Sequence, residues 1–132
     1  MSLAVAAPAE VVWDDLVDLT AWPSWGPTVR SARLDDGGTL LGAEATGSLV
    51  TTLGVPLRFE VDGWCGAGAR RSWSWRVAGV RATGHGVVET GPEACRVWMS
   101  VPWWAPAYLG VVAPALVRLR RRAESRAGTG GR

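Results

Sequence analysis

The residue best suited to chemistry is His85, the single histidine among 132 residues. One histidine cannot build a site that needs two, and the chain has no H-x-H, HExxH or Cys/His spacing typical of a metal site. The near-neutral pKa of an ordinary imidazole suits proton transfer to an enolising ketone. His85 is therefore the candidate catalytic residue, and the alternative is a hydrogen-bonded histidine of the core or a sheet edge. We expect no metal ion and no cofactor.

Nine tryptophans are a high number for this length. Each ring buries roughly 150–250 Å² and stacks well on flat ligands. The rings either fill the core, which we expect of Trp13, or line a ligand site, and both interpretations stay open for Trp22, Trp25 and Trp75. Many inward-facing rings would also leave only a small cavity. The candidate ligand-binding residues are Trp22, Trp25, Trp73, Trp75, Met99 and Tyr108.

Polar partners for a bound ketone are few in this sequence. Tyr108 precedes the last apolar helix face, where its hydroxyl would donate a hydrogen bond into a cavity or lie at the rim. Trp103 and Trp104 come just before it and would form a flap or an interface patch. No paired carboxylates fall on a predicted inner face, and no glycine-rich phosphate loop follows a strand.

Two segments with a helical stripe must position these residues, one near each end of the chain. In the first, Pro8 suits the first turn of a helix, and Asp14, Asp15 and Asp18 are expected on the polar face. The second is a long helix in the stretch Ala107 to Arg122. The predicted apolar faces are Ala9, Val12, Trp13, Leu16 and Val17 in the first helix, and Leu109, Val112, Ala113, Leu116 and Val117 in the second.

The middle of the chain alternates polar and apolar residues in short runs that end at turns. This period of two predicts an antiparallel meander with one covered face, on which His85 lies beside Thr83 and Val87. A helical turn is expected at Ala21–Pro27. The predicted strands are Leu3–Ala6, Val29–Leu34, Glu44–Thr52, Leu57–Trp64, Arg71–Val77, Arg81–Thr90 and Ala94–Val101.

This order of elements resembles the START-like (SRPBCC) superfamily of helix-grip proteins, most closely its polyketide cyclase/dehydrase branch. The residues that carry the resemblance are the entry Ala7–Glu10 with Val12 and Trp13, Asp18, the segment Trp22–Pro27, Gly42, the strand Trp73–Trp75 and His85. The resemblance implies an α+β fold in which a curved antiparallel sheet of about seven strands wraps a long C-terminal helix, with two short helices after the first strand. It also implies a deep cavity between sheet and helix, with Trp22 and Trp25 near its mouth. Two departures, a clipped first strand and an interruption of the last helix at Pro114, would make that cavity shallower or its mouth wider.

Composition sets the remaining expectations. The length and the 48% hydrophobic content suit one domain, residues 1–124, followed by a disordered tail at 125–132. The formal net charge is +2 and every basic residue is Arg, so we expect no nucleic-acid partner and a solvated arginine cluster near the C-terminus. Cys65 and Cys95 form no CxxC motif, which favours free thiols, and with no signal peptide in view we expect the cytoplasm.

Three functions remain open at this stage. The first is binding of a hydrophobic or aromatic, polyketide- or lipid-like molecule in an internal cavity, with cyclase or dehydratase chemistry in which His85 moves the proton. The second is a non-catalytic carrier or sensor of such a ligand, acting as a monomer or homodimer. The third is a membrane-associated protein held by its C-terminal apolar segment, although prolines interrupt that run and membrane contact is not expected.

Overall fold

The computed structural model describes residues 1–130, and within this range one seven-stranded sheet packs against the helices. The strands are β1 (Ser2–Val5), β2 (Val29–Leu34), β3 (Thr46–Thr51), β4 (Pro56–Cys65), β5 (Arg70–Val77), β6 (Val80–Gly91) and β7 (Ala94–Ser100). The helices are α1 (Ala9–Val17), α2 (Trp22–Trp25) and α3 (Leu109–Gly130), and a 3-10 turn at Pro106–Tyr108 precedes α3.

The strands lie in the order β1-β7-β6-β5-β4-β3-β2, and every pair is antiparallel. Strands β2 to β7 therefore form a meander, and β1 closes the far edge against β7. The α+β helix-grip architecture predicted from the sequence is confirmed. The inner face of the sheet carries the core, and all three helices pack on that side.

A bulge in β4 sets which side chains of this strand face inward. Val61 lies opposite Trp75 and Gly63 lies opposite Ser74, so Asp62 is an extra residue. Simple alternation from Val61 would send Trp64 to the outer face. Because of the bulge, the Trp64 ring instead packs at 5.4 Å from Trp13 of α1.

On the outer face of β6, the two residues that flank His85 are glycines and have no side chain. A Cβ atom at Gly86 would lie 2.3 Å from the indole of Trp98, a residue of β7. A Cβ atom at Gly84 would lie 2.5 Å from the Ser100 hydroxyl. The two glycines let the Trp98 ring lie against the strand, so β6 is packed on both faces at this point.

The predicted polar face of α1 is wrong at Asp15, whose side chain is only 2% exposed. Its Oδ1 accepts hydrogen bonds from Arg122 Nε, at 3.1 Å, and from Arg126 Nη1. Two members of the C-terminal arginine cluster therefore bind a buried carboxylate instead of only water. These contacts fix the rotation of α3 against α1.

The indoles of Trp22 and Trp25 complete the C-terminal end of α1. Trp22 Nε1 donates to the Leu16 carbonyl at 3.0 Å, and Trp25 Nε1 donates to the Asp15 carbonyl at 2.9 Å. The last carbonyls of a helix have no partner inside the helix, so these bonds satisfy groups that burial would otherwise leave unpaired. Both rings are held inward and are at most 6% exposed.

Backbone groups satisfy the neighbouring carbonyls of the same turn. The Asp18 N–H donates to the Asp14 carbonyl at 3.0 Å, and the Leu41 N–H donates to the Val17 carbonyl at 2.8 Å. Asp18 also forms an isolated β-bridge with Leu40. The segment between β2 and β3 is thereby tied to the end of α1.

Helix α3 differs from its predicted form in three respects. Its buried stripe consists of Val112, Ala115, Leu116, Leu119 and Ala123, while Leu109 is 42% exposed. The stripe is rotated relative to the predicted face: Ala115, Leu119 and Ala123 are buried, whereas Ala113 and Val117 are only partly buried.

The helix also passes through Pro114 without ending. Pro114 cannot donate to the carbonyl of Gly110, four residues earlier, and Gly110 is exposed, so water can take that place. The helix then runs to Gly130, so residues 125–130 of the predicted disordered tail are helical, with Ala127 packed on the core. Residues 131 and 132 lie outside the described residues.

Replacing Arg122 and Arg126 together with Ala is expected to lower the free energy of unfolding by about 3 kcal/mol, because Asp15 then stays buried without its counter-charges. Urea denaturation followed by tryptophan fluorescence measures the loss. The control is the double replacement of Arg118 and Arg121, two exposed arginines of the same helix, which should cost less than about 0.5 kcal/mol. Equal losses in the two variants would contradict a stabilising role for the Asp15 contacts.

Candidate functional site

Aromatic rings fill most of the space between the sheet and the helices. Trp22 of α2 stacks on Trp73 of β5 with ring centroids 5.6 Å apart and an interplanar angle of 14°. The edge of Trp22 meets Trp75 at 5.4 Å, and Phe59 packs against Trp22 and Trp75. The deep cavity that the resemblance implied is therefore largely closed by indoles. What remains there is an inner chamber of about 50 Å³.

The structure brings every candidate site residue to this inner chamber. Trp22 and Trp25 lie deep in the core, not near a cavity mouth, because their N–H groups bond the end of α1. Val112 and Ala115 of α3 close the chamber from the helix side. The candidate residues that line it are His85, Trp22, Trp25, Trp73, Trp75, Met99 and Tyr108.

His85 is surrounded by indoles on three sides. Its ring stacks on Trp73 with centroids 4.0 Å apart, and the edges of Trp75 and Trp25 meet it at 5.9 and 6.3 Å. The side chain is 4% exposed. Its Nε2 lies 2.9 Å from Thr83 Oγ1, which in turn accepts a hydrogen bond from Trp75 Nε1 at 3.2 Å.

Burial lowers the pKa of His85 from 6.5 to about 3, and the Trp73 backbone, which favours the protonated ring, offsets only part of this effect. The imidazole is therefore neutral at physiological pH. A neutral ring with so low a pKa is a weak base, so efficient proton abstraction at neutral pH is not what this environment favours. The ring is better suited to giving and accepting hydrogen bonds.

A second and larger space, the outer pocket, opens beside the inner chamber and has a volume of about 320 Å³. Its floor is the inner face of β3 to β5, and its roof is the segment between β7 and α3. Among its described lining residues there is no charged side chain; the residues with polar side-chain groups are three threonines, one tyrosine and two tryptophans. The lining residues are Thr28, Val29, Leu49, Thr51, Leu57, Trp75, Val77, Ala82, Thr83, Pro102, Trp104, Ala105 and Tyr108.

A narrow neck separates the two spaces. Trp75 and Thr83 of the sheet and Tyr108 at the start of α3 line both of them, together with Thr28 and Val29. The Tyr108 hydroxyl lies 3.4 Å from Thr28 Oγ1, a long contact at which either group can donate. Tyr108 is 38% exposed, so it stands between the cavities and solvent.

Sequence reasoning did not identify most residues of the outer pocket. Alternation assigned Leu57 to the inner face, and Val77 likewise, but no pattern shows that a helix leaves those positions uncovered. Trp104 was predicted in a flap or an interface patch; it forms part of the roof and is 50% exposed. Trp103 beside it is 91% exposed and does not line the pocket. The segment of prolines and tryptophans before α3 was the available signal.

A comparison with models of protein families identifies the family of this chain. Residues 1–126 match the family described as "Polyketide cyclase / dehydrase and lipid transport". The match covers nearly the whole chain, so the protein belongs to this family, and the predicted resemblance to the START-like superfamily is confirmed. Family and fold together indicate a protein of the hydrophobic-ligand-binding class.

Solved structures with the same fold come from distant organisms. A hypothetical protein, jhp0584, from Helicobacter pylori is 14% identical with a TM-score of 0.74, over 93% of this chain and 85% of that chain. A START superfamily protein from Mycobacterium smegmatis is 18% identical with a TM-score of 0.56, over 98% and 95% of the two chains. A hypothetical protein from Sulfolobus tokodaii is 11% identical with a TM-score of 0.66, again over 98% and 95%. A search of curated proteins gives no match.

The alternative of a membrane protein held by its C-terminal apolar segment is not supported. Within residues 1–130, no helix combines the length and the apolar character that a bilayer crossing requires. The long helix α3 contains four arginines between residues 118 and 122, and this charge is incompatible with the apolar core of a bilayer.

We expect the stability of the protein to fall as the pH is lowered from about 6.5 to 4. Because folding lowers the pKa of His85, the unfolded chain binds a proton in this range that the folded chain does not. The free energy of unfolding should therefore decrease by up to about 1.4 kcal/mol per pH unit. Urea denaturation at a series of pH values measures the slope.

The matched variant for this measurement is His85→Phe, which keeps a stacked ring and removes the titrating group. Its slope between pH 6.5 and 4 should be clearly flatter. Below about pH 4 both proteins should lose stability, because the hydrogen bond from Arg58 holds the pKa of Asp35 at about 2 in the folded protein, whereas the unfolded chain takes up this proton near the ordinary value of 3.8. Identical slopes in the two proteins above pH 4 would show that His85 titrates normally.

Proposed function

We propose that this protein binds a neutral, hydrophobic small molecule in the outer pocket and carries or senses it without changing it. The observation that supports this most strongly is an apolar pocket of about 320 Å³ whose described lining has no charged side chain. That volume is at the lower end of the range of roughly 300–1,000 Å³ that is usual for small-molecule sites.

The lining indicates the chemistry of the ligand. A buried carboxylate or ammonium would lose its hydration without gaining a counter-charge, so charged ligands are disfavoured. Thr51 Oγ1 accepts a hydrogen bond from the Val55 N–H, which leaves its own proton free to donate. With Thr28 and Tyr108 nearby, one or two uncharged polar atoms on the ligand would find partners.

The candidate residues divide between two roles under this proposal. Trp75 and Tyr108 line the outer pocket and would touch the body of the ligand. Trp22 and Trp25 have structural bonds to α1 and shape the wall behind it. His85 lies behind the neck and does not line the outer pocket; its contacts with residues of that pocket are those with Thr83 and Trp75.

A second candidate is the cyclase or dehydratase chemistry of the family name. In its favour, Thr83 Oγ1 lines the outer pocket and is 2.9 Å from His85 Nε2, so a proton path exists. Against it, the pKa of His85 is about 3. Incubation with a synthetic poly-ketone followed by mass spectrometry separates the two: a carrier releases the molecule unchanged, whereas aldol closure with dehydration yields a product lighter by one water.

Two dyes with the same ring system test whether the outer pocket prefers an uncharged ligand. N-phenyl-1-naphthylamine is neutral, and 8-anilino-1-naphthalenesulfonate adds a single sulfonate to the same ring system. We expect the neutral dye to bind at least about tenfold more tightly, because the pocket offers no counter-charge to the sulfonate. Fluorescence titration measures both affinities, and tighter binding of the sulfonate would contradict the proposed ligand class.

Two variants, each with one leucine replaced by tryptophan, test where the dye binds. Leu57 lines the outer pocket, and Leu53 lies at the β3–β4 turn with 90% exposure. Leu57→Trp should fill the pocket and weaken binding of N-phenyl-1-naphthylamine by about tenfold or more, whereas Leu53→Trp should leave it unchanged. Equal effects at the two positions would place the dye elsewhere.

A further inference from the structure

Two buried nitrogen atoms beside the inner chamber have no partner. Within residues 1–130, neither Trp73 Nε1 nor His85 Nδ1 has a hydrogen-bond partner of good geometry; the Trp73 backbone makes only a weaker contact with the His85 ring, which favours its protonated form. Their side chains belong to residues that are 2% and 4% exposed, and both residues line the chamber. Buried polar groups in native proteins are nearly always paired, so such a pair of atoms calls for a partner that is not part of the chain.

The hydrogen-bond chain through Thr83 fixes what His85 Nδ1 offers. Trp75 Nε1 can only donate, so Thr83 Oγ1 is its acceptor. The oxygen of a hydroxyl accepts up to two hydrogen bonds, so this contact alone does not fix the direction of the bond to His85 Nε2. We assign Thr83 as the donor, because its hydroxyl proton has no other acceptor among the described contacts. Because the neutral ring carries one proton, that proton is on Nδ1, and both unpartnered nitrogens are donors.

We propose that the inner chamber is a subsite for one uncharged acceptor oxygen of the ligand, which receives hydrogen bonds from Trp73 Nε1 and His85 Nδ1. The inference rests on the proposed function, since the body of the ligand occupies the outer pocket and its polar end passes the neck between Trp75 and Tyr108. In this arrangement His85 is a binding residue that acts as a donor.

The size of the chamber limits what can enter. A volume of about 50 Å³ corresponds to roughly three to five water-sized positions, at 10–15 Å³ each. A group of a few atoms, such as an acetyl, fits there, whereas a ring stays in the outer pocket. Two donors and no described acceptor at the two open positions select a carbonyl or ether oxygen over a hydroxyl that must also donate.

A pair of isosteric ligands tests the subsite without any variant. 2-Acetylnaphthalene and 2-isopropenylnaphthalene have the same shape, and only the first has an acceptor oxygen. We expect the ketone to bind about tenfold more tightly, as two net hydrogen bonds would give. Calorimetry measures the affinities, and the carbonyl stretching band of the bound ketone should move to lower frequency than in a hydrocarbon solvent.

Variants then assign the two donors. Trp73→Phe and His85→Phe each keep an aromatic ring and remove one donor, so each should reduce the preference for the ketone by about threefold or more. The control is Trp64→Phe, because Trp64 is the register partner of Trp73 on β4 and does not line the chamber. It should keep the full preference, and circular dichroism verifies that all three variants fold.

The possible results distinguish a failure of the proposed subsite from a failure of the proposed ligand-binding function. If the naphthalenes bind with equal affinity, or the alkene binds more tightly, and the carbonyl band is unshifted, the chamber holds only water and the inference is overturned. If neither the naphthalenes nor N-phenyl-1-naphthylamine binds, the proposed function itself is wrong and the subsite falls with it.

Discussion

The bonds from two indole N–H groups to the end of α1 determine the interior of this protein. Trp22 and Trp25 follow the helix within one short turn, and their nitrogens satisfy the Leu16 and Asp15 carbonyls. Those carbonyls are buried, so the rings cannot leave without exposing unpaired acceptors to an apolar environment. The rings therefore occupy space that a helix-grip fold can leave open, and the remaining volume is divided into a small inner chamber and an outer pocket.

That division separates the outer pocket from His85, the candidate catalytic residue of the sequence analysis. His85 is enclosed by Trp73, Trp75 and Trp25, and two of its neighbours, Trp75 and Thr83, lie between it and the outer pocket. Enclosure makes the imidazole neutral and weakly basic, which removes the property that a lone histidine first suggests. Its hydrogen-bonding capacity remains, and its buried, apolar surroundings favour hydrogen bonding over proton transfer.

Much of the fold was predictable because its signals are local. Alternation located the strands within a few residues, as at Val29–Leu34, and the element order identified the architecture. The failures arose where distant segments meet. Asp15 was placed on a solvent face because its arginine partners follow more than a hundred residues later, and the bulge at Asp62 is visible only in the pairing with β5.

The candidate site was predictable in membership but not in shape. His85 and the indoles were selected by residue type and face, and the structure does gather them around one chamber. No sequence pattern reports how much volume their rings leave, because that depends on ring orientations set by bonds such as the one from Trp22 to Leu16. The outer pocket was missed for a related reason. A stretch of sheet that no helix covers shows the same alternation of polar and apolar residues as a covered stretch.

The close fit between Gly86 and Trp98 has an evolutionary consequence. Any side chain at position 86 would collide with the indole, so the two positions can drift only together, a small residue facing a large one. The pair supports β6 from behind, at the residue next to His85.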